Sequence, residues 1–291
     1  MEEAHRALLT GITGFVGSHL AVRLLKEGWD LHAIVRPSSQ LEVLPEALRQ
    51  VVRFHVHGAE TDLMKILEKS RPHVVFHLAS LFLSQHKYED IDAMMDSNVT
   101  FGAKLLDAMA RHGVRNLVYA GTSWQHYQNA PYSPVNLYAA SKQAFEAILQ
   151  YYRETAGMHA FVLKLFDTYG PGDRRKKLFA LLDKIAETGE ALSMSPGEQD
   201  VDFVHVEDAA GAFALAARYL LEERFDLCGA YAVSSGQAIS LRELVARYEK
   251  VRGKKLRIRW GERPYREREV MEPWRGGRLL PGWERKHRNL M

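Results

Sequence analysis

The segment that most restricts the fold is a glycine-rich turn near the N-terminus, Thr10-Gly11-Ile12-Thr13-Gly14-Phe15-Val16-Gly17. It follows a short apolar strand pattern at Ala7–Gly11 and opens a stretch, Gly14–Glu27, whose apolar residues recur at helical spacing. The first glycine permits a tight turn, the second lets backbone amides approach a phosphate, and the third lets helix and strand pack closely. We therefore expect a dinucleotide held by its pyrophosphate at a helix N-terminus, with contacts from Gly11, Thr13, Gly14, Phe15, Val16 and Gly17.

Strand and helix patterns alternate through the following part of the chain. Further strands are expected at Leu31–Val35, Val51–Val56, His73–Leu78, Arg115–Ala120 and Ala160–Phe166, with long helices at Asn98–His112 and Asn136–Thr155. Such alternation requires right-handed crossovers and gives a parallel sheet with helices on both faces. We expect an α/β, Rossmann-type, doubly wound sheet with a smaller, discontinuous C-terminal substrate lobe. The sheet domain is expected at 1–166 plus about 203–222, and the lobe at 167–202 plus 223–291.

The composition is that of a globular protein with a full core. Of 291 residues, 46% are hydrophobic and 26% charged. A single cysteine, Cys228, excludes an internal disulfide framework and suits a reducing compartment. The first apolar run is too short for a signal peptide, and none approaches the roughly 20 residues of a membrane helix. We expect a cytoplasmic protein without a membrane partner or a metal site.

The net charge of +3 conceals a basic C-terminal region. From Arg252 onward, 13 Lys and Arg stand against 5 Asp and Glu. This excess is compatible with nucleic-acid binding, with a lobe that meets a small polyanion such as a diphosphate, or with a solvated tail. The basic residues do not form a recognised nucleic-acid module, so we expect no nucleic-acid partner.

A tyrosine and a lysine four positions apart, Tyr138 and Lys142, share one face of the predicted long helix. A tyrosine acts as an acid near neutral pH when a nearby cation lowers its pKa of about 10. The fifth strand ends in Gly121-Thr-Ser123, which offers Ser123, or alternatively Thr122, as a partner hydroxyl. In this interpretation Ser123 and Tyr138 polarise a carbonyl, while Lys142 lowers the tyrosine pKa and anchors the nicotinamide ribose.

The end of the second strand distinguishes between cofactors, because it touches the adenosine ribose. A carboxylate there accepts bonds from the free hydroxyls of NAD, whereas an arginine accommodates the 2′-phosphate of NADP. Here Arg36 takes that position, with Ser38 and Ser39 as phosphate donors, so NADPH is preferred and NADH is the alternative. Asn98 is interpreted either as a helix cap or as a cofactor contact. Beneath the cofactor we expect the end of strand four, which consists of Leu78, Ala79 and Ser80.

Together these segments resemble the extended short-chain dehydrogenase/reductase family of nucleotide-sugar epimerases, dehydratases and reductases. The resemblance runs from Ala7 to about Leu221 and includes Asp202-Phe-Val-His-Val-Glu-Asp208. It implies that Ser123, four residues before a tyrosine, is the active-site hydroxyl, and that the substrate is a nucleotide-diphosphate sugar. It also implies a homodimer formed through the two long predicted helices. The further contacts that it implies are Phe166 to the nicotinamide and Asp167 or Thr168 to the sugar.

Two departures from the family pattern are informative. Sugar-nucleotide dehydratases of this type carry an Asp-Glu pair after the active-site hydroxyl, where this chain has Trp124 and Gln125. Neither side chain is a general acid or base, so dehydration is disfavoured and both are interpreted as substrate contacts. An arginine that often precedes Asp202 is replaced by Val201. The diphosphate then requires another basic residue, which we predict to come from Arg174–Lys177, with Arg174 and Arg175 as candidates, or from the C-terminal lobe.

A narrower resemblance concerns Trp124–Tyr127, Pro134–Tyr138 and Ser195–Gln199. These stretches are similar to reductases of CDP-4-keto-3,6-dideoxyhexoses, the abequose and paratose synthase type. The resemblance implies NADPH-dependent reduction of the C4 keto group of a CDP- or dTDP-linked deoxyhexulose for surface polysaccharide. Two alternatives remain open: a 4-epimerase with tightly bound NAD, and a non-enzymatic redox sensor that keeps the dinucleotide site. The sequence does not distinguish the base or the sugar.

Overall fold

The computed structural model describes residues 4–58 and 62–287. Its strands are β1 Arg6–Thr10, β2 Asp30–Val35, β3 Arg53–Val56, β4 Val74–His77, β5 Asn116–Thr122, β6 His159–Leu165, β7 Asp167–Tyr169, β8 Leu192–Met194, β9 Asp200–Val201, β10 Phe203–His205, β11 Gly229–Val233, β12 Ile239–Ser240 and β13 Ile258–Trp260. Its α-helices are α1 Phe15–Lys26, α2 Glu46–Val51, α3 Leu63–Ser70, α4 Ile91–Met95, α5 Phe101–Arg111, α6 Leu137–Ala156, α7 Leu178–Thr188, α8 Val206–Leu221 and α9 Leu241–Arg252. A π-helical turn, Asp96–Thr100, joins α4 to α5.

Seven parallel strands form the central sheet in the order β11-β6-β5-β4-β1-β2-β3. The strand order reverses between β1 and β4, which pair in register from Ala7 with Val74 to Thr10 with His77. In such doubly wound sheets ligands bind outside the carboxyl ends of the strands at this reversal. The predicted Rossmann-type fold is confirmed, and the glycine turn after β1 lies at the point of reversal.

Two layers of helices bury the two faces of the sheet. Helices α1 and α8 pack on one face, where Leu20, Leu24 and Phe213 belong to a large apolar core. Helices α3, α5 and α6 cover the other face, with Leu106 and Phe145 fully buried. The strands are apolar on both faces because each face is covered by helices. Within the described residues, no helix is both long and apolar enough to cross a membrane.

A smaller lobe has its own apolar cluster, which includes Leu182 on α7 and Leu244 on α9. Two short strand pairs, β8 with β13 and β9 with β12, join distant parts of the chain in this lobe. The predicted lobe boundary at 223–291 is wrong for one strand, because β11 pairs in parallel with β6 at the edge of the central sheet. The apolar residues Tyr231, Ala232 and Val233 of β11 are buried in the large core. The C-terminal segment also returns to the large core, where Leu280 and Trp283 are buried.

Candidate active site

The glycine turn is built as the sequence predicts, with backbone atoms too close for side chains. Gly11 has a φ of +76°, and a Cβ there would lie 2.7 Å from the backbone nitrogen of Ala79. A Cβ on Gly17 would lie 2.1 Å from the carbonyl oxygen of Gly11. Helix α1 begins directly after Gly14, so its first amides face the turn. This cradle fits a pyrophosphate at a helix N-terminus.

Replacing Gly17 by Ala is expected to lower Tm by roughly 4–10 °C, since overpacking against backbone costs about 1–3 kcal/mol. Cofactor binding should weaken as well, because the turn must move to admit the methyl group. The matched control is Gly211→Ala in α8, where a Cβ would make ordinary van der Waals contacts, the nearest at 3.5 Å from the end of the Arg23 side chain. Thermal unfolding and NADPH titration of both variants check this. Equal Tm values for the two variants would contradict the close approach at Gly17.

A cavity of about 510 Å³ extends from the glycine turn along the ends of β1, β2 and β4. Arg36 and Ser39 line it at the end of β2, and the Ser39 hydroxyl accepts the Arg36 amide at 2.9 Å. Ser38, predicted as a phosphate donor, is exposed and lies outside the residues that line this cavity. Sequence reasoning missed His57, which follows β3 and lines the same cavity. The predicted contacts that line it are Gly11, Thr13, Gly14, Leu78, Ala79 and Ser80.

Helix α6 carries both members of the predicted catalytic pair. It starts after Asn136, whose side chain accepts the backbone amide of Ala139 at 3.0 Å and so fixes the first turn. Tyr138 and Lys142 both line a second cavity, of about 250 Å³, beside the glycine turn. Phe15, Val16, Gly17 and Phe166 line the same cavity. The structure therefore brings the tyrosine, the lysine and the glycine turn together.

Burial dominates the ionisation of the pair. It raises the pKa of Tyr138 to about 12, and a hydrogen bond with Ser80 opposes the increase. It lowers the pKa of Lys142 to about 7, with the nearby Glu146 carboxylate opposing the decrease. The tyrosine pKa is therefore raised where the sequence predicts a lowering by Lys142, whose ammonium nitrogen lies 5.9 Å from the centre of the Tyr138 ring. Tyr138 thus holds its proton at neutral pH, as a proton donor must.

The two candidate hydroxyls at the carboxyl end of β5, Thr122 and Ser123, occupy different positions. Thr122 is buried, and its Oγ1 accepts the backbone amide of Trp124 at 3.3 Å. Both residues line the cavity that holds Tyr138, but Ser123 also lines a larger neighbouring cavity that Thr122 does not reach. This arrangement favours Ser123 over Thr122 as the group that meets a substrate, although the role itself stays a prediction.

Gln125 does not face either cavity, which corrects its prediction as a substrate contact. The side chain is fully buried behind β5, where its amide nitrogen donates to Gln143 at 2.6 Å and to Glu146 at 2.8 Å. Its oxygen accepts the backbone amide of Thr122 at 3.2 Å. The hydrogen-bonding capacity of Gln125 is used within the protein, so its place is structural.

Asn98 also proves to be a structural residue and not a cofactor contact. It lies buried in the π turn, and its amide forms two bonds with the backbone of Leu81, at 2.7 and 3.0 Å. A third bond reaches the Ser141 hydroxyl on α6 at 2.9 Å. Asn98 therefore ties the loop after β4 to the helix that carries Tyr138. His77 is fully buried, bonds to Thr10 and has a pKa lowered to about 3 by burial, which makes it a packing residue.

The larger cavity, of about 560 Å³, lies between the sheet and the smaller lobe. Trp124 and Asp167 line it, as predicted for substrate contacts, whereas Thr168 is buried and lines the smaller cavity. Arg175 binds both carboxylate oxygens of Asp173 at 2.7 Å and covers the Phe15 ring. It faces the glycine turn, and Arg174 lines none of the three cavities.

Several residues of this cavity escaped the sequence analysis. Phe82 lies edge-on to Tyr138 at 4.9 Å and 5.7 Å from Trp124, and its place after the carboxyl end of β4 was a usable signal. Trp274 stacks on His126 at 3.9 Å from a segment far away in sequence, for which no local pattern existed. The basic residues that line the cavity fall within the two stretches named above for the diphosphate; they are Lys176, Lys177, Arg263, Arg266 and Arg268.

Relatives of two kinds cover nearly the whole chain. CDP-abequose synthase from Salmonella muenchen is 26% identical over 271 residues, which span 92% of this chain and 87% of the relative. UDP-glucose 4-epimerase from Pisum sativum is 24% identical in an alignment that covers 98% of this chain and 92% of the relative. Sequence similarity thus extends to a CDP-abequose synthase and to a UDP-glucose 4-epimerase alike.

The fold leads to the same group of proteins. The crystal structure of UDP-glucose 4-epimerase from Thermus thermophilus in complex with NAD superposes with a TM-score of 0.77 at 26% identity, covering 97% of this chain and 94% of the epimerase. Residues 7–226 match the model of the NAD dependent epimerase/dehydratase family, a range that begins at β1 and ends after α8. With the glycine turn and the Tyr138–Lys142 pair inside that range, the chain belongs to the NAD dependent epimerase/dehydratase family.

Proposed function

We propose that this enzyme reduces, with NADPH, the C4 keto group of a CDP- or dTDP-linked deoxyhexulose in deoxysugar synthesis for surface polysaccharide. The observation that carries the proposal is the junction of the two cavities. Four residues line both the small cavity beside the glycine turn and the larger cavity that the basic residues line: Ser123, Trp124, Phe166 and Asp167. A sugar in the larger cavity therefore meets the Tyr138 side of the smaller one.

The chain's own residues supply the acid and the positioning. Tyr138 keeps its proton at neutral pH and donates it to the carbonyl oxygen, while Ser123 donates a hydrogen bond to the same oxygen. Lys142, on the same helix face, binds the ribose of the cofactor and offsets negative charge that develops on Tyr138. The nicotinamide group, when bound, supplies the hydride.

The wall of the cavity supports a ketoreductase over a dehydratase. Trp124 presents an aromatic surface where dehydratases carry an acid, and Phe82 lies against it. The next residue, Gln125, is fully buried and turned away from the cavity. No acid–base pair therefore stands at these two positions to remove water from the sugar. An apolar wall also suits a ring face that has lost hydroxyl groups.

The basic residues that line the larger cavity support a diphosphate-bearing substrate. Arg268 donates to the Ser133 hydroxyl at 2.7 Å, yet its buried Nε has no hydrogen-bond partner among the described residues. Gln199 Oε1, in the same cavity wall, is likewise buried and unpartnered within that part of the chain. Buried polar atoms without partners cost about 1–3 kcal/mol each, and a polar ligand removes that cost. These atoms fit the phosphates and polar groups of a nucleotide sugar.

Replacing Arg268 by Met is expected to raise KM for the nucleotide sugar by about 10- to 100-fold, the loss of one charge-assisted hydrogen bond. Binding of NADPH should stay unchanged, because Arg268 does not line the cofactor cavities. Arg259→Met is the control, since Arg259 is exposed and pairs with Glu262 outside the cavity. Steady-state kinetics and NADPH titration separate the two effects. A rise in KM of the same size in both variants would contradict this place for the diphosphate.

The second candidate is a nucleotide-sugar 4-epimerase that retains NAD. It is favoured by epimerases among the similar proteins and by Asp96, a carboxylate that lines the same cavity as Arg36 and can accept ribose hydroxyls. Purified protein distinguishes the two candidates. Its released cofactor is identified by chromatography, and the protein is then titrated with NADPH and NADH by tryptophan fluorescence. Exchangeable cofactor with NADPH preference supports the ketoreductase, whereas tightly bound NAD supports the epimerase.

A further inference from the structure

Lys142 is almost completely enclosed, with 2% of its surface exposed. The titratable side chains that face it come from three elements. Tyr119 of β5 lies with its ring centre 4.6 Å from the ammonium nitrogen, and the Tyr138 ring centre lies 5.9 Å away on α6. His77 of β4 is close enough for the lysine charge to lower its pKa. Glu146, one helical turn after Lys142, supplies the carboxylate that opposes the loss of the lysine's proton.

Glu146 is held in place from two other elements. Lys164 of β6 lies 3.3 Å from one carboxylate oxygen, and the side chains of this pair are 5% and 13% exposed. Gln125, after β5, donates to the other oxygen at 2.8 Å. Gln125 is in turn fixed by Gln143 and by the Thr122 amide, directly before Ser123. A chain of polar contacts thus runs behind the cavity from Thr122, directly before Ser123, through Gln125 to Glu146, which lies one helical turn after Lys142.

We propose that Glu146, clamped by Lys164 and Gln125, is a positioning residue that supplies the balancing charge for Lys142 from behind the active site. The inference rests on the proposed role of Lys142 in the reaction. It assigns a purpose to Gln125, Glu146 and Lys164, which line none of the three cavities. It also explains why a residue at a dehydratase acid–base position is an amide, since an amide nitrogen can hold Glu146.

The charges give the two members of the pair opposite effects on Lys142. Removing the negative charge of Glu146 leaves Lys142 desolvated with no carboxylate to oppose the loss of its proton, so Lys142 loses its proton at lower pH. Removing the positive charge of Lys164 leaves Glu146 to act on Lys142 alone, so Lys142 keeps its proton to higher pH. A purely structural ion pair has a different signature, because breaking either side destabilises the fold and moves no titration in opposite directions.

The experiment is a titration of Lys142 followed by ¹³C and ¹⁵N NMR in lysine-labelled protein, with the signal assigned by its loss in Lys142→Met. We expect the midpoint to fall by about one pH unit in Glu146→Gln and to rise by about one in Lys164→Gln, as for neighbouring charges elsewhere. The basic limb of the pH–rate profile should move in the same two directions. The double variant Glu146→Gln/Lys164→Gln should titrate near the original midpoint.

Each result is decisive. Opposite displacements support the proposal, whereas displacements in one direction, or none, overturn it. If Glu146→Gln does not fold, Lys164→Gln alone decides the question. The new glutamine at position 164 can still donate a hydrogen bond to Glu146, and the midpoint of the Lys142 titration must rise in this variant. The NMR titration needs no substrate. Opposite displacements in protein that turns over no keto sugar would therefore leave this inference standing while the proposed function fails.

Discussion

Replacing Tyr138 by Phe is expected to lower kcat by roughly 10²- to 10⁴-fold, the usual contribution of a positioned general acid. The ring keeps its contact with Phe82, and only the hydroxyl with its bond to Ser80 is lost. Because the proton donor is removed while the glycine turn and Lys142 remain, the Kd for NADPH should change little. Steady-state kinetics with the keto sugar and a fluorescence titration with NADPH give the two numbers.

The control for this change is Tyr151→Phe. Tyr151 lies on the same helix, is 59% exposed and lines none of the three cavities, so the same atom is removed outside the site. Tyr151→Phe should turn over the keto sugar at the rate of the unaltered protein. If Tyr138→Phe also turned over at a comparable rate, Tyr138 would not be the acid. If it lost NADPH binding together with turnover, its role would be in holding the cofactor.

Arg36→Asp is expected to raise the Kd for NADPH by about 10- to 100-fold and to change the Kd for NADH far less. The guanidinium at the end of β2 is replaced by a carboxylate, which repels a 2′-phosphate and accepts bonds from a free 2′-hydroxyl. The change removes a charge-assisted hydrogen bond worth about 1.5–3 kcal/mol. Parallel titrations of the variant with the two reduced cofactors measure the ratio of the two dissociation constants.

Arg49→Asp provides the matched control, since Arg49 is exposed on α2 and lies outside the cofactor cavity. Arg49→Asp makes the same change of charge outside the cofactor cavity, so it measures how much a change in the protein's overall charge alters the binding of NADPH. An unchanged preference in Arg36→Asp, or an equal change in Arg49→Asp, would remove Arg36 from the phosphate site. His57 would then be the next residue to test.

The parts of the fold that sequence reasoning found are those fixed by local chemistry. The glycine turn, the helix after it and the start of the long helix at Asn136 depend on backbone conformation and on neighbours within a few residues. One local error occurred at Val51, which was expected to begin a strand and instead ends α2. Pro45 starts that helix, and Glu46 to Gln50 are good helix formers. The helix propensity of these residues outweighed the strand pattern suggested by the apolar pair Val51 and Val52.

The parts that it could not find depend on contacts between distant segments. Gln125 comes two residues after the predicted active-site hydroxyl, but its hydrogen bonds to Gln143 and Glu146 on α6 hold it away from the cavity. The sequence of β11 did not reveal that it would extend the sheet beside β6. Likewise, the stacking of Trp274 on His126 joins positions almost 150 residues apart in the chain. Only the folded structure brings such residues together.

The most direct test is turnover of purified protein with NADPH and a CDP- or dTDP-linked 4-keto-6-deoxyhexulose. NADPH absorbance is followed together with the mass of the nucleotide sugar, using NADPH deuterated at the transferable position. We expect equimolar loss of NADPH and keto sugar, with deuterium at C4 of the product. No consumption of NADPH, together with interconversion of C4-epimeric nucleotide sugars by NAD that co-purifies with the protein, would contradict it.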